Sequence, residues 1–192
     1  MTADEVVREI TQRAWRFGVA VLLQPTPKVF SGNVYSGGYF DGDNRVLAVG
    51  IGRDEDSWLG ILLHEYCHLT QWVENQPVWR QYREEMWDWL AGKRIRNPEQ
   101  AVRSVQATEE DCERRTIRLA VEMQAPIDLE KYIRGANAYI HFHNVILETR
   151  KWYREDASLI DDPAVLEAAN PTLDTDFRKT PPALRKALLQ AV

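Results

Sequence analysis

The most informative segment of this chain is LLHEYCHL, residues 62–69, in which His64 and His68 stand four positions apart and Glu65 follows the first histidine. Residues four apart lie on one face of a helix, so both imidazoles can reach one zinc ion. Glu65 would lie near the open position of the metal, where it can take a proton from a bound water. Three such polar groups in a leucine-rich helix are costly to bury without a partner such as a metal. The segment therefore predicts zinc ligands at His64 and His68 and a catalytic base at Glu65; the competing interpretation is a buried helix with hydrogen-bonded histidines.

A third protein ligand must come from elsewhere, and the candidates lie in the acidic segment 108–114. The apolar spacing there predicts a helix whose core-facing stripe includes Val105, Glu109 and Cys112. A carboxylate on that stripe needs compensation, which a metal ion supplies, so Glu109 is the predicted third ligand. Glu113, one turn later, borders the same face and is a further candidate ligand, or it could instead orient a ligand histidine. Cys112 is also a candidate ligand, and a solvated acidic helix face is the alternative without a metal.

The residues before this region predict one helix and a small sheet. Thr2-x-x-Glu5 has the form of a capping box, and apolar residues then recur at helical spacing until Gly18. The apolar run 19–23 predicts one strand, and the segments 34–40 and 46–51, which flank the turn-rich residues 41–44, predict a hairpin. This part of the chain is therefore expected to form a small antiparallel or mixed sheet.

From residue 54 onward, glycine and proline become sparse and apolar residues fall three and four apart. Asp54, Asn97 and Asp128 are suitable N-caps. The pattern predicts four helices, at about 54–75, 78–91, 97–124 and 128–153. The expected fold is α+β in one domain over residues 1–192. Residues 1–53 would form the helix and sheet, 54–153 the active-site helices and 154–192 a C-terminal extension of loops and short helices.

Composition narrows the class of protein. The 192 residues suit one domain, and 24 Lys and Arg against 29 Asp and Glu give a net charge of −5, which disfavours nucleic acid as a partner. Neither a membrane-spanning apolar segment nor a signal-peptide pattern is evident. Two cysteines are compatible with a reducing compartment. We therefore expect a cytoplasmic protein with no membrane association.

The motif His64-Glu65-x-x-His68, followed by a helix that begins Glu109-x-x-Cys112-Glu113, resembles the minimal gluzincins, which include the ImmA/IrrE-like metallopeptidases of bacteria and phages. The resemblance covers about residues 45–125. It implies a zincin-like fold and a zinc-dependent peptidase in which His64, His68 and Glu109 bind the metal and Glu65 is the base. It also implies that an edge strand, taken here as 46–51, holds a peptide substrate in extended form. The 40 residues between His68 and Glu109 include a tryptophan-rich helix that departs from the family pattern.

The last predicted helix offers further candidates. Tyr139 and His143 lie on its apolar stripe, whereas His141 is predicted to face away from the core. A phenol or imidazole beside the zinc could stabilise the oxyanion of a tetrahedral intermediate, which makes Tyr139 and His143 candidate catalytic residues. The alternative is that both are hydrogen-bonded core residues. Cys67 is interpreted as a small buried hydrophobic residue.

Three functions remain compatible with these patterns. The first is a zinc metallopeptidase that hydrolyses peptide or protein substrates with a water activated by Glu65. The second is an interaction or regulatory module derived from a zincin, whose metal site is structural and whose tryptophan-rich helix binds a partner; a structural site has no need of Glu65. The third is a nucleic-acid-associated factor that would use the basic segments 93–96 and 114–115.

Overall fold

The structure is a computed structural model that describes residues 1–31, 34–79, 83–154 and 159–192. The chain is mixed α+β, with a small sheet and a mostly helical remainder, as predicted. Backbone contacts group it into two compact units. The first comprises Met1–Trp79 and Cys112–Leu129, and the second comprises Arg80–Asp111 and Glu130–Val192. The zincin-like fold and the single domain stay predictions.

Among its described residues, the first unit contains five strands and two complete helices: α1 (Ala3–Trp15), β1 (Ala20–Gln24), β2 (Val29–Ser31), β3 (Val34–Ser36), β4 (Gly38–Asp41), β5 (Val46–Gly50) and α2 (Glu55–Val73). The predicted capping box is present, because the Thr2 hydroxyl accepts from the Glu5 backbone and the Glu5 carboxylate accepts from the Thr2 backbone. Asp54 caps α2 by accepting from the Ser57 backbone N–H, also as predicted.

The three-stranded sheet has the order β1–β5–β4, with β5 parallel to β1 and antiparallel to β4. The predicted hairpin is thus confirmed for β4 and β5. The prediction that 46–51 is an edge strand is wrong, because β5 is central. Its residues Leu47, Ala48 and Val49 are all fully buried, as expected for a strand covered on both faces. Hairpin periodicity could not show that β1 would pair with the other side of β5.

The predicted strand 34–40 is divided at Gly37 into β3 and β4. β3 pairs antiparallel with β2, a strand that the sequence analysis missed, whereas β4 joins the larger sheet. β4 packs closely on α2: a Cβ added at Gly38 would lie 2.6 Å from Cγ2 of Ile61 and 3.1 Å from Cγ of Glu65. Glycine at position 38 therefore permits the close approach of this strand to the helix that carries the motif.

The core of the first unit lies between the helices and the sheet. Apolar residues of α1 recur three and four apart, those of α2 occupy most of its circumference, and both sets are buried with the sheet residues. The fully buried members from these two helices are Val6, Ile10, Ala14, Leu59, Leu62, Leu63 and Leu69. Burial of α2 around most of its circumference explains why its polar residues require hydrogen-bond partners.

The second unit is helical. It contains α3 (Arg83–Leu90), α5 (Leu129–Thr149), α6 (Pro163–Ala168) and α7 (Pro182–Gln190), while α4 (Pro98–Met123) contributes its first half here and its second half to the first unit. Asn97 caps α4 as predicted, since its Oδ1 accepts from the Gln100 backbone. The predicted helix 78–91 is confirmed for its second half, and residues 80–82 lie outside the described residues. α5 ends four residues before the predicted limit.

A bilayer-spanning helix would need a long apolar segment, and none of the helices within the described ranges has one.

Candidate metal centre

Two imidazoles meet on the buried face of α2. His64 and His68 are one helical turn apart, and their ring centroids lie 4.6 Å from each other with the ring planes nearly perpendicular. His68 and the intervening Glu65 are buried, and most of the His64 side chain is also covered. The predicted convergence of the two histidines on one face of the helix is therefore present.

Each of these histidines contacts a side-chain oxygen through Nδ1. Nδ1 of His68 lies 2.8 Å from Oε1 of Gln71, and Nδ1 of His64 lies 3.0 Å from Oε1 of Glu113. An imidazole that donates from Nδ1 carries its lone pair on Nε2, which is the atom that a metal needs. Both oxygen-bearing side chains are buried. The two contacts are thus compatible with the tautomer and ring orientation that suit metal binding.

The contact of Glu113 with His64 agrees with one of its two predicted roles. Gln71 was missed by the sequence analysis. The sequence feature that could have identified Gln71 is a polar amide at a core-facing position of an apolar helix. This position lies three residues after the candidate ligand His68. A buried amide at such a position needs a partner, and the ligand histidine supplies it.

Cys112 lies against His64. Its Sγ is 3.6 Å from Nδ1 of His64 and 3.3 Å from the His64 carbonyl oxygen. Within the described part of the chain, donor atoms of His64, His68 and Cys112 lie within 4.8 Å of one another, which defines a candidate metal-binding cluster. Cys112 was one of the alternatives for the third ligand, so the cluster supports that alternative as well as the two histidines.

The electrostatic environment favours positive charge at His64. Burial lowers the pKa of this imidazole, but electrostatic interactions and hydrogen bonds with Cys112 and Glu113 outweigh burial and raise the pKa well above its usual value. A metal cation would satisfy the same surroundings and displace the proton. Burial raises the pKa of the neighbouring Cys67 thiol, and its interaction with Cys112 raises it further. Cys67 is accordingly the small buried hydrophobic residue that the sequence analysis expected.

Aromatic rings line the His68 side of the cluster. The ring of Trp79 lies 5.7 Å from that of His68, and Phe40 of β4 lies 5.8 Å from Trp79. Trp72 of α2 packs against Phe40 in an edge-to-face arrangement. These rings form an apolar wall beside the two histidines, and such a wall strengthens electrostatic interactions by excluding water.

The predicted stripe of α4 is buried along its whole length, and its members are Val102, Val105, Glu109, Cys112, Thr116, Leu119 and Met123. Glu109 is 1% exposed and belongs to the second unit, whereas Glu110, the next residue, is only half-buried. The helical register assumed for this acidic segment is therefore correct. The assignment of Glu109 as a metal ligand stays a prediction.

The two other candidate catalytic residues, Tyr139 and His143, belong to the second unit. His143 is fully buried, and its Nδ1 lies 3.1 Å from the carbonyl oxygen of Tyr139 one turn earlier. The half-buried Tyr139 ring packs on that of His143 at a centroid distance of 5.5 Å. Their role in stabilising an oxyanion stays a prediction.

The prediction that His141 faces away from the core is wrong. His141 is fully buried, and its Nε2 lies 2.9 Å from Oδ2 of Asp174. The segment that contains Asp174 covers this face of α5, with Phe177 packed against the His141 ring. A carboxylate 33 residues downstream leaves no signal in the periodicity of the helix.

Comparison of the chain with protein-family models, with curated proteins and with solved structures found no match. The interpretation of the metal centre accordingly depends on the donor atoms, their partners and their burial.

Proposed function

We propose that this chain is a zinc-dependent metallopeptidase of the kind that its motif resembles, the ImmA/IrrE-like minimal gluzincins. The observation that carries the proposal is the pair of histidines on α2, whose Nδ1 atoms contact oxygens of Gln71 and Glu113. Histidines that ligate a catalytic zinc are held in this way by acceptors at their second nitrogen. Glu65 is buried and lies between the two histidines in the sequence. A structural metal site would not require this carboxylate.

The donor set suits zinc. Two imidazoles, a nearby thiol and carboxylates are the ligand types that zinc accepts, whereas calcium and magnesium require mainly oxygen ligands. The raised pKa of His64 also points to a place where negative surroundings favour a cation. His64 and His68 would hold the ion through Nε2, and Gln71 and Glu113 would keep both rings in position.

Two residues compete for the third protein position. The sequence favours Glu109, and the described cluster contains Cys112. Because Cys112 approaches Nδ1 of His64, the nitrogen that Glu113 also contacts, it lies on the side of the ring away from Nε2. Coordination through Nε2 therefore disfavours Cys112, and Glu109 stays the third ligand that the sequence predicts. Coordination by Cys112 would use Nδ1 of His64 and would require Glu113 to move.

Hydrolysis follows from the placement of Glu65. When bound, zinc would polarise the peptide carbonyl and make a water more acidic. The Glu65 carboxylate would take a proton from the attacking water and deliver it to the nitrogen of the leaving amine. Gly38 brings β4 within van der Waals reach of Glu65, and β4 is an edge strand of the three-stranded sheet. A peptide that pairs with β4 as an additional strand would present its backbone beside the base.

The proposal is tested by metal analysis together with the Glu65→Gln variant. Purified wild-type protein is expected to take up one zinc ion per chain and to produce new peptide termini in a proteome-wide digest. Glu65→Gln should keep the metal and lose at least ~10²-fold in hydrolysis, the lower end of the effect of a general base. The exposed Glu55, at the first turn of α2, provides a matched control as Glu55→Gln.

Failure to bind zinc would remove the central hypothesis. Zinc binding with equal cleavage patterns in wild type and Glu65→Gln would instead indicate a structural metal site, as in the interaction module considered from the sequence. Loss of zinc from Glu65→Gln would show that Glu65 is a ligand.

A further inference from the structure

Two large aromatic side chains project into solvent from the β2–β3 ribbon. Phe30 is 53% exposed and Tyr35 is 68% exposed. They occupy directly opposite positions in the two strands, and their ring centroids are 4.9 Å apart. Val29, the neighbour of Phe30, is fully buried, so the ribbon is anchored on one face and presents the rings on the other. Phe30 and Tyr35 together are called the aromatic pair below.

The aromatic pair stands close to the candidate active site along the chain. β3 leads through Gly37 into β4, where Gly38 packs against Glu65. Tyr35 stands three positions before Gly38 in the chain, so the two residues lie at most about 10 Å apart at ~3.3 Å per residue. A peptide in extended form along β4 covers the same span with three residues.

The base of the ribbon is fixed by hydrogen bonds. The Arg53 guanidinium donates to the Pro27 carbonyl oxygen through Nη2 at 2.8 Å and through Nε at 3.2 Å. The Ser36 hydroxyl donates to the Gly38 carbonyl oxygen at 2.7 Å, where β3 passes into β4. These bonds link the strands that carry the aromatic pair to the start of α2 and to β4. The base of the ribbon is therefore tied to β4 and to the segment that precedes α2.

We propose that the aromatic pair is a side-chain subsite that selects an aromatic or large aliphatic residue about three positions from the bond that is cleaved. The inference rests on the proposed function, because it assigns a substrate class to the same site. Two apposed rings offer both apolar area and the quadrupole that favours stacked or edge-to-face aromatic partners. A peptide residue seated there would cover rings that are otherwise in water. The occupant is thus a peptide substrate of apolar character at that position.

The test uses zinc-loaded protein and a library of extended peptides in which the residues two, three and four positions from the cleaved bond are varied. Wild type is expected to prefer Phe, Tyr, Trp or Leu over Ala at one of these positions by about tenfold or more in kcat/KM, a typical contribution of an apolar pocket. The double variant Phe30→Ala with Tyr35→Ala should lose this preference, so that its kcat/KM for peptides with a large apolar residue falls to the value for alanine-bearing peptides. Tyr35→Phe should retain the preference.

Trp15 supplies the matched control, because this ring on α1 is 74% exposed and Trp15→Ala removes a comparable apolar surface. Metal content and thermal unfolding of each variant confirm that the centre and the fold are intact. If the wild type hydrolyses the peptides and the double variant keeps the same side-chain preference, the inference is overturned and the peptidase proposal stands. If wild type cleaves nothing, binding of the same fluorescent peptides separates the two proposals. Binding that depends on the aromatic pair would support the subsite without the peptidase, and absence of binding would overturn both.

Discussion

Helices α2 and α5 each bury two histidines, which together are the four histidines of the chain, yet the two helices use them differently. On α2 the histidines are four apart, their rings meet, and both contact oxygen acceptors through Nδ1. On α5 they are two apart, so they point to different faces of the helix. His141 contacts Asp174 through Nε2, and His143 contacts backbone carbonyls of its own helix. Burial of histidine is therefore common to a candidate metal centre and to helix packing. Spacing separates the two, because only the α2 pair, four residues apart, brings both rings together.

The largest expected effect is loss of the metal from α2 variants alone. His68→Ala should reduce zinc to well below one ion per chain, because it removes a ligand rather than a supporting residue. His143→Ala, which deletes an equally buried imidazole, should retain one zinc per chain. Metal analysis after dialysis measures both. Similar metal contents in the two variants would abolish the distinction between the helices.

The third ligand gives the next largest effect. Glu109→Ala should weaken zinc binding by more than the 10- to 100-fold that loss of a supporting residue typically costs. Cys112→Ala and Glu110→Ala should retain zinc. Competition with a fluorescent chelator measures the affinities. The reverse order, with Cys112→Ala deficient and Glu109→Ala normal, would assign the third position to the thiol and indicate coordination through Nδ1 of His64.

The oxygen acceptors at Nδ1 should contribute a smaller amount. Gln71→Leu keeps the volume of the side chain and removes its carbonyl oxygen, and Glu113→Gln removes the negative charge beside His64. Each should lower zinc affinity by about 10- to 100-fold while leaving hydrolysis measurable at saturating zinc. Unchanged affinity in both variants would mean that packing alone orients the rings.

The smallest effect concerns α5. Asp174→Asn removes the charge that faces His141 and should destabilise the protein by about 1.5–3 kcal/mol, the scale of one hydrogen bond to a charged group. Zinc affinity should not change, since this carboxylate serves packing. Urea denaturation followed by circular dichroism gives the free energy of unfolding. A marked loss of zinc from this variant would show that the α5 histidine also serves the metal centre.

Local chemistry was predictable from the sequence, and non-local pairing was not. The caps at Thr2, Asp54 and Asn97, the buried stripe of α4 and the meeting of His64 with His68 each depend on residues three or four apart. The central position of β5 depends on a parallel partner about 26 residues earlier in the chain. Burial of His141 likewise depends on Asp174, far along the sequence.

The structure differs from the sequence-based prediction at two further places, and the physical cause of each is only weakly indicated by the sequence pattern. The sequence pattern predicts one strand over 34–40, but the chain bends at Gly37 so that β3 and β4 belong to different sheets. The sequence alone does not distinguish Gln71 from other polar residues near the end of an apolar helix. Its contact with His68 in the structure does. In both cases the deciding information is the identity of a neighbour.

The ring centroids of Trp79 and His68 lie 5.7 Å apart, so the fluorescence of Trp79 can report on metal binding at the candidate centre. Cobalt(II) or copper(II) in place of zinc would have absorption bands or unpaired electrons that quench the emission of an indole so close by. Titration with either ion should therefore dim the tryptophan fluorescence of the wild type in proportion to occupancy, and Trp79→Phe should remove most of that change. Metal uptake could then be followed in real time without any added dye.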